Sequence, residues 1–535
     1  MTRRRESLWA SSVGVLAAGM TLAIAEVAAF FIAPASGPVF AVGAWVIDIA
    51  PAAVKTLVIA LFGAGDKAVL LVVLGLVVLV LAVFSGILEY RRPPFGAVVV
   101  LLSGAIAVFA VLTRAESTLD WAAPTILGAV GGIAVLRIGI DRLRGWTVSP
   151  DTQTPARAPD TQTPARAPNT DAARDAADPG RRRFLGMVIG TAAAVAIAGV
   201  GARLLNGGTL ATKAVRSALK LPQPAVPAPA IPAGASLPIP GISPLVSSNE
   251  GFYRIDTALQ VPAIDVSQWR MKITGMVENP IELTFDELMA LPLIETYITL
   301  MCVSNEVGGS LAGNAKWLGY PIAGLLERAR PLAGADVVLS TSQDGWTATT
   351  PLEVLRDTGR TSILAVGMND KPLPLEHGFP VRMVVPGLYG YVSATKWVVE
   401  LKVSTFREES AYWTDRGWSA TGPIKTSSRI DVPRPRAQLK QGTVAIAGVA
   451  WAQHTGIERV EVRIDGGEWR AATLAEPISI DTWRQWVYEW DAAPGYHAIE
   501  ARATDAAGGV QSGMNVPVLP DGAEGWHRID VVVSA

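Results

Sequence analysis

Five long apolar runs within the first 205 residues constrain this chain more than any other feature of its sequence. Each is close to the roughly 20 residues that an α-helix needs to cross about 30 Å of hydrocarbon. Half of the 535 residues are hydrophobic and only 17% are charged, against roughly 25% in an ordinary soluble domain. We therefore predict a multi-pass protein of the cytoplasmic membrane. The runs are Leu8–Ala33, Ala68–Leu88, Phe95–Leu112, Leu119–Ile140 and Phe184–Leu205.

Positive charge beside these runs predicts how the chain crosses the membrane. Arginines precede the first run, separate the second from the third and follow the fourth, and arginines near a span favour the cytoplasmic side. This pattern places the N-terminus inside and predicts four spans in 1–146. The segment Val39–Phe62 is also apolar, but a span there would move Arg91 and Arg92 outside. We predict a re-entrant or interfacial segment at that position.

A polar linker, 147–183, follows and ends in an export-like motif. It carries the nonapeptide DTQTPARAP twice in tandem, and such repeats are typical of disordered tethers. The run Arg181–Leu185 fits the twin-arginine export pattern R-R-x-F-L, with ordinary positive charge beside a membrane helix as the alternative. The fifth run, 184–205, ends without a clear A-x-A cleavage site. We expect it to remain as an anchor, with the rest of the chain on the outer side.

Beyond the anchor, the pattern changes to a proline-dense stretch and an α+β domain. The stretch, 206–244, predicts an extended stalk or a strap along the next domain. In 245–426, short strand-like runs alternate with turns and short helices. One of these helices is predicted at Leu283–Ala290, where Thr284 as N-cap and Glu287 at N3 would form a capping box.

The last domain, 427–535, is all-β by pattern. Apolar and polar residues alternate with period two, as expected for half-buried strands. Five such strands in about a hundred residues are typical of an immunoglobulin-like sandwich. The predicted strands are Thr443–Trp451, Ile457–Asp465, Thr482–Asp491, Tyr496–Asp505 and Arg528–Ser534.

The scarcity of cysteine and histidine excludes several kinds of redox and metal site. Cys302 is the sole cysteine, which excludes an intrachain disulfide, a four-cysteine zinc site and a cysteine-bound iron–sulfur cluster. The first of the four histidines is His377, so the membrane half has no imidazole to hold a haem. A net charge of −1 gives no basic footprint for nucleic acid.

Three segments around Cys302 together carry a family resemblance. They are TLMCVSNEVGG at the cysteine, the spaced set Trp317, Gly319 and Pro321, and PLPLEHGFPVRMVVPGLYGYVSATKW at 372–397. Together they resemble the sulfite oxidase family of molybdenum enzymes, which includes plant nitrate reductase and a bacterial methionine-sulfoxide reductase. The resemblance covers Glu250–Ala535. It implies a molybdopterin domain in 245–426 and a dimerisation-type domain in 427–535.

The resemblance also implies a molybdenum–molybdopterin cofactor and assigns residues to it. Cys302 would supply the protein thiolate, since molybdenum in high oxidation states needs soft, electron-rich ligands; a buried structural cysteine is the alternative. His377 and Arg382 of the H-G-x-P-x-R run would hold the phosphate region, which suits a guanidinium. Further cofactor contacts would come from Tyr253, Arg254, Ser304, Asn305, Asp344, Ser393, Thr395 and Lys396.

Two departures from the family pattern bear on the substrate. Animal and plant sulfite oxidases follow the cysteine with A-G-N-R-R, whereas Val303–Val307 contains no arginine. Their active-site tyrosine lies in a D-Y pair, and the comparable pair here is Asp415-Arg416. Arg254 and Arg416 are therefore our candidates for catalytic contacts with an anionic substrate, with a surface salt bridge as the alternative for each.

The resemblance favours oxygen-atom transfer, with oxidation of sulfite to sulfate as the leading reaction. Reduction of a sulfoxide or another S- or N-oxide is the alternative within enzymes, and a non-catalytic membrane-tethered binding protein is the alternative from another class. Molybdenum would be the only redox centre, with no haem. Electrons would pass to or from an external cytochrome or a membrane redox partner. A homodimer is compatible with the resemblance.

Overall fold

The computed structural model describes residues 3–33, 36–62, 65–114, 117–147, 179–204 and 207–535. The tandem repeat at 151–168, and with it most of the predicted linker, lies outside these residues. The chain forms two units, one from Met1–Ala50 with Leu57–Leu210 and the other from Pro51–Thr56 with Ala211–Ala535.

The first unit contains four helical segments that are long and apolar enough to cross a membrane. They coincide with the first four predicted runs. Continuous helix is expected there, because a backbone in hydrocarbon must satisfy its polar groups internally. The helices of this region are α1 (Arg3–Ile32), α2 (Pro38–Ile49), α3 (Ala52–Phe62), α4 (Asp66–Arg91), α5 (Phe95–Leu112) and α6 (Ala123–Thr147), the last preceded by a 3₁₀ turn at Leu119–Ala122.

Small residues allow α1 and α4 to approach closely. A Cβ atom added at Gly14 would overlap the carbonyl oxygen of Ala82, and one added at Gly86 would overlap that of Ala10. Close backbone contact at small residues is a common mode of helix association in lipid. These glycines therefore account for the contact between the two helices.

The apolar segment with internal charges does not form one long helix. It divides into α2 and α3, of 12 and 11 residues, separated at Pro51, and each is shorter than the roughly 20 residues of a span. Asp48 pairs with Arg114 at 2.6 Å, which balances the carboxylate. A further helix, α7 (Pro179–Leu204), covers most of the fifth predicted run. It is not among the four membrane-length helices found in the described residues.

The second unit contains α8 (Gly207–Ala218) from Ala211 onward, followed by a mixed α+β region. One sheet has the order β2–β1–β10–β5–β6 and another the order β3–β4–β7–β8, with β9 paired to β7. The strands are β1 (Arg270–Gly275), β2 (Ile281–Thr284), β3 (Ile294–Met301), β4 (Ala312–Pro321), β5 (Val337–Ser342), β6 (Thr347–Pro351), β7 (Ile363–Met368), β8 (Lys371–Pro372), β9 (Arg382–Val384) and β10 (Val398–Ser404).

Three short helices connect these strands: α9 (Phe285–Met289), α10 (Ile322–Ala329) and α11 (Leu352–Arg356). The predicted capping box at the start of α9 is confirmed. The Thr284 side chain accepts from the Glu287 N–H, and the Glu287 side chain accepts from the Thr284 N–H. Such reciprocal bonds satisfy donors that a helix start would otherwise leave open.

Residues 427–535 form two further sheets that share one apolar core. Their orders are β11–β13–β17–β16 and β12–β19–β18–β14–β15. Ile446 and Trp486 from the first sheet and Val460, Ile499 and Val531 from the second lie in that core. The strands are β11 (Ser427–Val432), β12 (Gln438–Lys440), β13 (Gly442–Trp451), β14 (Ile457–Ile464), β15 (Arg470–Ala471), β16 (Thr473–Leu474), β17 (Arg484–Ala492), β18 (Gly495–Asp505) and β19 (His527–Ser534).

The proline-dense stretch runs along both parts of this unit. The N–H of Ala225 donates to the carbonyl of Leu293 at 2.7 Å, the N–H of Leu237 to the Gln485 side chain at 2.7 Å, and the N–H of Ser243 to Asp431 at 2.9 Å. An extended chain with few N–H groups can follow a surface in this way without forming a sheet. It therefore contacts the α+β region and the two C-terminal sheets.

Candidate functional site

Cys302 follows directly after β3, whose last four residues are buried. This burial draws the start of the following loop inward and leaves the cysteine half-buried. Burial raises the pKa of the Cys302 thiol, while the backbone N–H and the hydroxyl of Ser304 donate hydrogen bonds to its sulfur and lower it. The sulfur therefore lies in a protected position with two donors already directed at it.

Two tyrosines, the half-buried Tyr253 and the buried Tyr389, interact electrostatically with Cys302. Burial raises the pKa of Tyr253 above its ordinary range, Cys302 adds to the rise and Arg382 opposes it. Burial also raises the pKa of Tyr389 to about 12, with an opposing hydrogen bond from the backbone of Lys425 and a small further rise from Cys302. Because both pKa values are raised, both phenols are neutral at physiological pH and can act as hydrogen-bond donors.

Arg382 is a buried cation whose side-chain hydrogen bonds within 207–535 all go to backbone carbonyls. Its guanidinium, 5% exposed, donates to the carbonyl oxygens of Met383 at 3.3 Å, His377 at 3.2 Å and Ala394 at 3.4 Å, and it lies 5.2 Å from the ring of Trp317. Burial lowers its pKa to about 10. Within 207–535, no carboxylate lies at ion-pair distance from it.

His377 lies beside Arg382 and is equally buried. Its Nε2 is 3.1 Å from the carbonyl oxygen of Asn249, which assigns the proton to Nε2. Burial and the nearby cations Arg382 and Lys396 lower the pKa of His377 to about 3. Gly378 allows this approach, because it has a φ of 109° and a Cβ there would lie 2.9 Å from that of Arg382.

A second group of charges lies next to this pair and contains its own acids. Asp256 accepts from Lys396 at 2.6 Å and from Arg254 at 3.0 Å. Asp344 interacts electrostatically with both Asp256 and Lys396, and burial raises its pKa. Arg254 contributes to the lowered pKa of His377, so the predicted residues Arg254, Asp344, His377, Arg382 and Lys396 lie in one electrostatic environment.

Three predicted cofactor contacts have side chains that the fold already uses. The Ser393 hydroxyl donates to the carbonyl of Tyr389 at 2.9 Å, and the Thr395 hydroxyl is 2.6 Å from that of Ser340. The Asn305 side-chain oxygen accepts from the N–H of Leu311 at 2.7 Å. These three side chains therefore already have hydrogen-bond partners within the protein.

Arg416 has partners within its own segment. It lies in the 3₁₀ turn Thr414–Arg416, donates to the carbonyl of Tyr412 at 2.6 Å and stacks on the Tyr412 ring, 3.7 Å from the ring centre. Arg254, by contrast, interacts with the charges around His377. Of the two predicted substrate-binding arginines, Arg254 is the one that the structure connects to the site.

Two residues near the predicted ones, Tyr389 and Asp256, were not predicted from the sequence. Tyr389 stands in the same PGLYGYVSATKW run as Lys396, so the run itself pointed to it. Asp256 had no such signal, because its partners Arg254 and Lys396 are brought together only by folding. Its two ion pairs identify it as the acid that balances this part of the site.

The arrangement fits a metal-bearing anionic cofactor. Within the described ranges, no group of three or more His, Cys, Asp or Glu residues could hold a metal ion, so a metal at Cys302 would need ligands from another molecule. A pyranopterin dithiolene brings two sulfurs and a phosphate. A buried guanidinium without a carboxylate is costly unless an anion accompanies it, and a phosphate at Arg382 and His377 would meet that need.

Comparison with known proteins agrees with this chemistry. Residues 258–413 match the family model of the oxidoreductase molybdopterin binding domain. The chain is 28% identical to human mitochondrial sulfite oxidase over 327 residues, covering 52% of this chain and 60% of that protein. It is 32% identical over 158 residues to the uncharacterized oxidoreductase YuiH of Bacillus subtilis (strain 168), covering 30% of this chain and 76% of that protein.

Among solved structures, the sulfane dehydrogenase SoxCD from Paracoccus pantotrophus is similar over 54% of this chain and 81% of its own, with a TM-score of 0.48 and 22% identity. As for the sequence relatives, the chain spans about 60% of the length of human sulfite oxidase. The family model covers the segment that carries Cys302, Arg382 and Lys396, and YuiH is 32% identical over 76% of its own length. The chain therefore belongs to the sulfite oxidase family of molybdopterin-dependent oxidoreductases.

Proposed function

We propose that this chain is a membrane-anchored molybdenum oxidoreductase that transfers an oxygen atom, with oxidation of sulfite to sulfate as its leading reaction. The observation that carries the proposal is the setting of Cys302. The sole cysteine of the chain lies half-buried and interacts with the half-buried Tyr253 and the buried Tyr389. It belongs to the same site as Arg382, a buried cation that has no carboxylate at ion-pair distance within 207–535. Family membership supplies the cofactor that this setting suits.

When bound, the molybdopterin supplies a metal centre that exchanges an oxygen atom and two electrons with the substrate. Cys302 would hold the metal, and Arg382 would donate N–H groups to the phosphate. His377 holds its proton at Nε2 toward Asn249, and a phosphate beside it would raise its pKa from about 3. Lys396 would add charge at the edge of the same anion.

The substrate would meet a different set of groups. Oxidation of sulfite takes one oxygen atom from water and releases two electrons and two protons. Arg254, which also donates to Asp256 at 3.0 Å, would attract the sulfite dianion. The neutral hydroxyls of Tyr253 and Tyr389 would donate hydrogen bonds to the sulfite oxygens. Donors fixed before the reaction cost little reorganisation as charge moves.

A second candidate reaction is reduction of a sulfoxide or another S- or N-oxide. Val303–Val307 contains no arginine, whereas two neutral phenols interact with Cys302. A neutral S-oxide needs a hydrogen-bond donor at its oxygen rather than a cation. The two phenols therefore favour the reductase direction. A third possibility is a non-catalytic binding protein, and Cys302 argues against it because a binding protein has no need of the thiolate.

The membrane half would serve as anchor and docking surface for an electron-transfer partner. Support comes from the four membrane-length helices and from the arginines that flank them. We propose five spans with α7 as the fifth, the α+β domain on the outer side, and an immunoglobulin-like C-terminal domain that can form a homodimer. Reporter fusions at Ala172 and Gly241 are expected to give opposite signals; equal signals would rule out α7 as a span.

The activity can be tested on the purified full chain produced in a host that makes molybdopterin. Metal analysis is expected to find about one molybdenum per chain, and sulfite should reduce a cytochrome acceptor. A panel of S-oxides with reduced viologen is the parallel assay. Turnover of S-oxides alone would establish the reductase instead, and absence of molybdenum would favour the binding protein.

A further inference from the structure

The loop that follows Cys302, residues 303–311, is closed on itself by three hydrogen bonds. We call it the cysteine loop. The N–H of Cys302 donates to the carbonyl of Leu311 at 3.0 Å, and the N–H of Asn305 donates to the carbonyl of Cys302 at 3.1 Å. The N–H of Leu311 donates to the Asn305 side chain at 2.7 Å. The loop therefore sets the backbone from which the Cys302 side chain projects.

Arg429 in β11 holds this loop from the C-terminal domain. Its Nη1 donates to the carbonyl of Gly309 at 2.8 Å, across 120 positions of sequence. The same guanidinium donates to Asp431 at 2.7 Å and to the Ser243 hydroxyl at 2.7 Å, while Asp431 also accepts from the N–H of Ser243 at 2.9 Å. Arg429 is only 8% exposed, and each of its outer nitrogens has a partner.

His527 in β19 packs against the same loop. Gly308 has a φ of 77°, and a Cβ there would overlap the His527 ring. His527 Nδ1 accepts from the N–H of Ile430 at 2.9 Å, so the histidine is attached to the residue between Arg429 and Asp431. One short piece of β11 thus fixes two adjacent glycines of the cysteine loop.

We propose that Arg429, held in place by Asp431, is a positioning residue that fixes the cysteine loop and so orients Cys302 and Ser304. Charge-assisted hydrogen bonds are shorter and stronger than neutral ones, and residues that fix a metal ligand from outside commonly alter metal affinity or activity 10- to 100-fold when changed. The C-terminal domain would thereby act on the metal site of the α+β domain. The statement that Cys302 binds molybdenum rests on the proposed function.

The test uses the full chain in detergent with Arg429→Gln, Arg429→Lys and the control Arg502→Gln. Arg502 belongs to the same domain and donates to Glu461 at 2.8 Å. Hydrogen exchange of peptides from 303–311 is measured by mass spectrometry, with β5 as the internal reference. We expect Arg429→Gln to accelerate exchange of the cysteine loop about tenfold, Arg429→Lys to have a smaller effect, and Arg502→Gln to leave it unchanged.

The second measurement is the Mo(V) electron paramagnetic resonance spectrum of molybdenum-loaded protein. Reorientation of the thiolate should shift or broaden the signal in Arg429→Gln at unchanged molybdenum content, with partial recovery in Arg429→Lys. A loop in Arg429→Gln that exchanges at the wild-type rate overturns the proposal. If the β5 reference peptide shows that the Arg429→Gln variant has unfolded, exchange of the cysteine loop in Arg429→Lys is compared with the wild type instead. An unchanged rate in that variant overturns the proposal. Absence of molybdenum from the wild type would refute the proposed function but leave the exchange result intact.

Discussion

Two buried arginines in this protein have opposite electrostatic surroundings. Arg382 is 5% exposed and Arg429 is 8% exposed, and both donate to backbone carbonyls. Arg429 is also paired with Asp431 at 2.7 Å, whereas Arg382 has no carboxylate at ion-pair distance within 207–535. The charge of Arg429 is therefore balanced by a carboxylate of the protein itself, whereas the described residues supply none to Arg382.

This contrast follows from the cost of burying charge. An unpaired ion in a protein interior is expensive, and removing one partner of a buried pair is strongly destabilising. The region around Arg429 avoids that cost with its own carboxylate. Around Arg382, the described residues supply no such carboxylate, so the cost of burying the charge is not offset. Uncompensated charge of this kind is typical of binding sites. Burial alone would not have distinguished a structural arginine from a ligand-binding one.

The largest expected effect is on catalytic activity, and it comes from substitution of Cys302, which belongs to the site of Arg382 and precedes the loop that Arg429 contacts. In Cys302→Ser, a harder oxygen replaces the sulfur at little change in volume, so we expect catalytic activity to fall to background and the free energy of unfolding to change by less than about 1 kcal/mol. Acceptor reduction, molybdenum content and thermal unfolding measure this. Full activity in the variant would show that the thiolate is not the metal ligand. Ser304→Ala, which keeps the sulfur, is the control and should retain part of the activity.

The comparison of the two arginines predicts opposite stability effects. Arg429→Met leaves the buried carboxylate of Asp431 without a cation, with only the N–H of Ser243 as donor, and should lower the free energy of unfolding by about 3–5 kcal/mol. Arg382→Met removes an unpaired charge, so the cofactor-free protein should be unchanged or more stable by about 1 kcal/mol, but unable to retain molybdopterin. Denaturant unfolding of both cofactor-free variants tests this. Equal destabilisation by the two substitutions would contradict the distinction.

Each region also contains a buried histidine, and this gives a pH test. Burial lowers the pKa of His377 to about 3 and that of His527 to about 4, from 6.5. Because the folded pKa is depressed, each neutral histidine contributes stability above pH 6.5, and this is lost as pH falls toward 4. Each should add a slope of about 1.4 kcal/mol per pH unit in that window.

Substitution of either histidine by Gln should flatten the pH dependence of unfolding in the cofactor-free protein. With cofactor bound, a phosphate beside His377 raises its pKa, so His377→Gln should then have little effect on the slope, while His527→Gln should act as before. Unfolding measured from pH 4 to 7 with and without cofactor checks this. A His377 contribution that is unchanged by cofactor would place the anion elsewhere.

The smallest effects are expected at the two arginines proposed to bind substrate. Arg254 belongs to the charges around His377, so Arg254→Gln should raise KM about tenfold with kcat within about threefold, as for loss of uniform binding. Arg416 is engaged with Tyr412, and Arg416→Gln should change either constant less than about twofold. Steady-state kinetics on both variants compare them. The reverse order would identify Arg416 as the substrate contact.

Local signals in the sequence predicted several elements that the structure contains. The first four apolar runs coincide with membrane-length helices, the Thr284–Glu287 pair forms its capping box, and alternation predicted β13 and β18 closely. These features depend on hydrogen bonds or side-chain periodicity within a short stretch of chain. Neighbouring residues are sufficient to specify them.

The roles of individual side chains were harder to predict from the sequence. Ser393 and Thr395 lie in the family run, yet their hydroxyls bond to Tyr389 and Ser340. Tyr389 lies in the same run and interacts with Cys302. Residues in one motif can face different neighbours, because a short turn directs successive side chains to different sides.

Residue order alone was enough to predict the apolar helices, the change from apolar helical to α+β and all-β patterns along the chain, and the cysteine around which a site would form, since composition, period and motif express these directly. Folding was needed to show that Asp256 bridges Arg254 and Lys396 and that Arg429 donates to a loop 120 residues away. It was also needed to show that no carboxylate within 207–535 lies at ion-pair distance from Arg382. Each of these depends on which distant groups share a low-dielectric interior. Charge balance there is set by three-dimensional proximity, which no local pattern records.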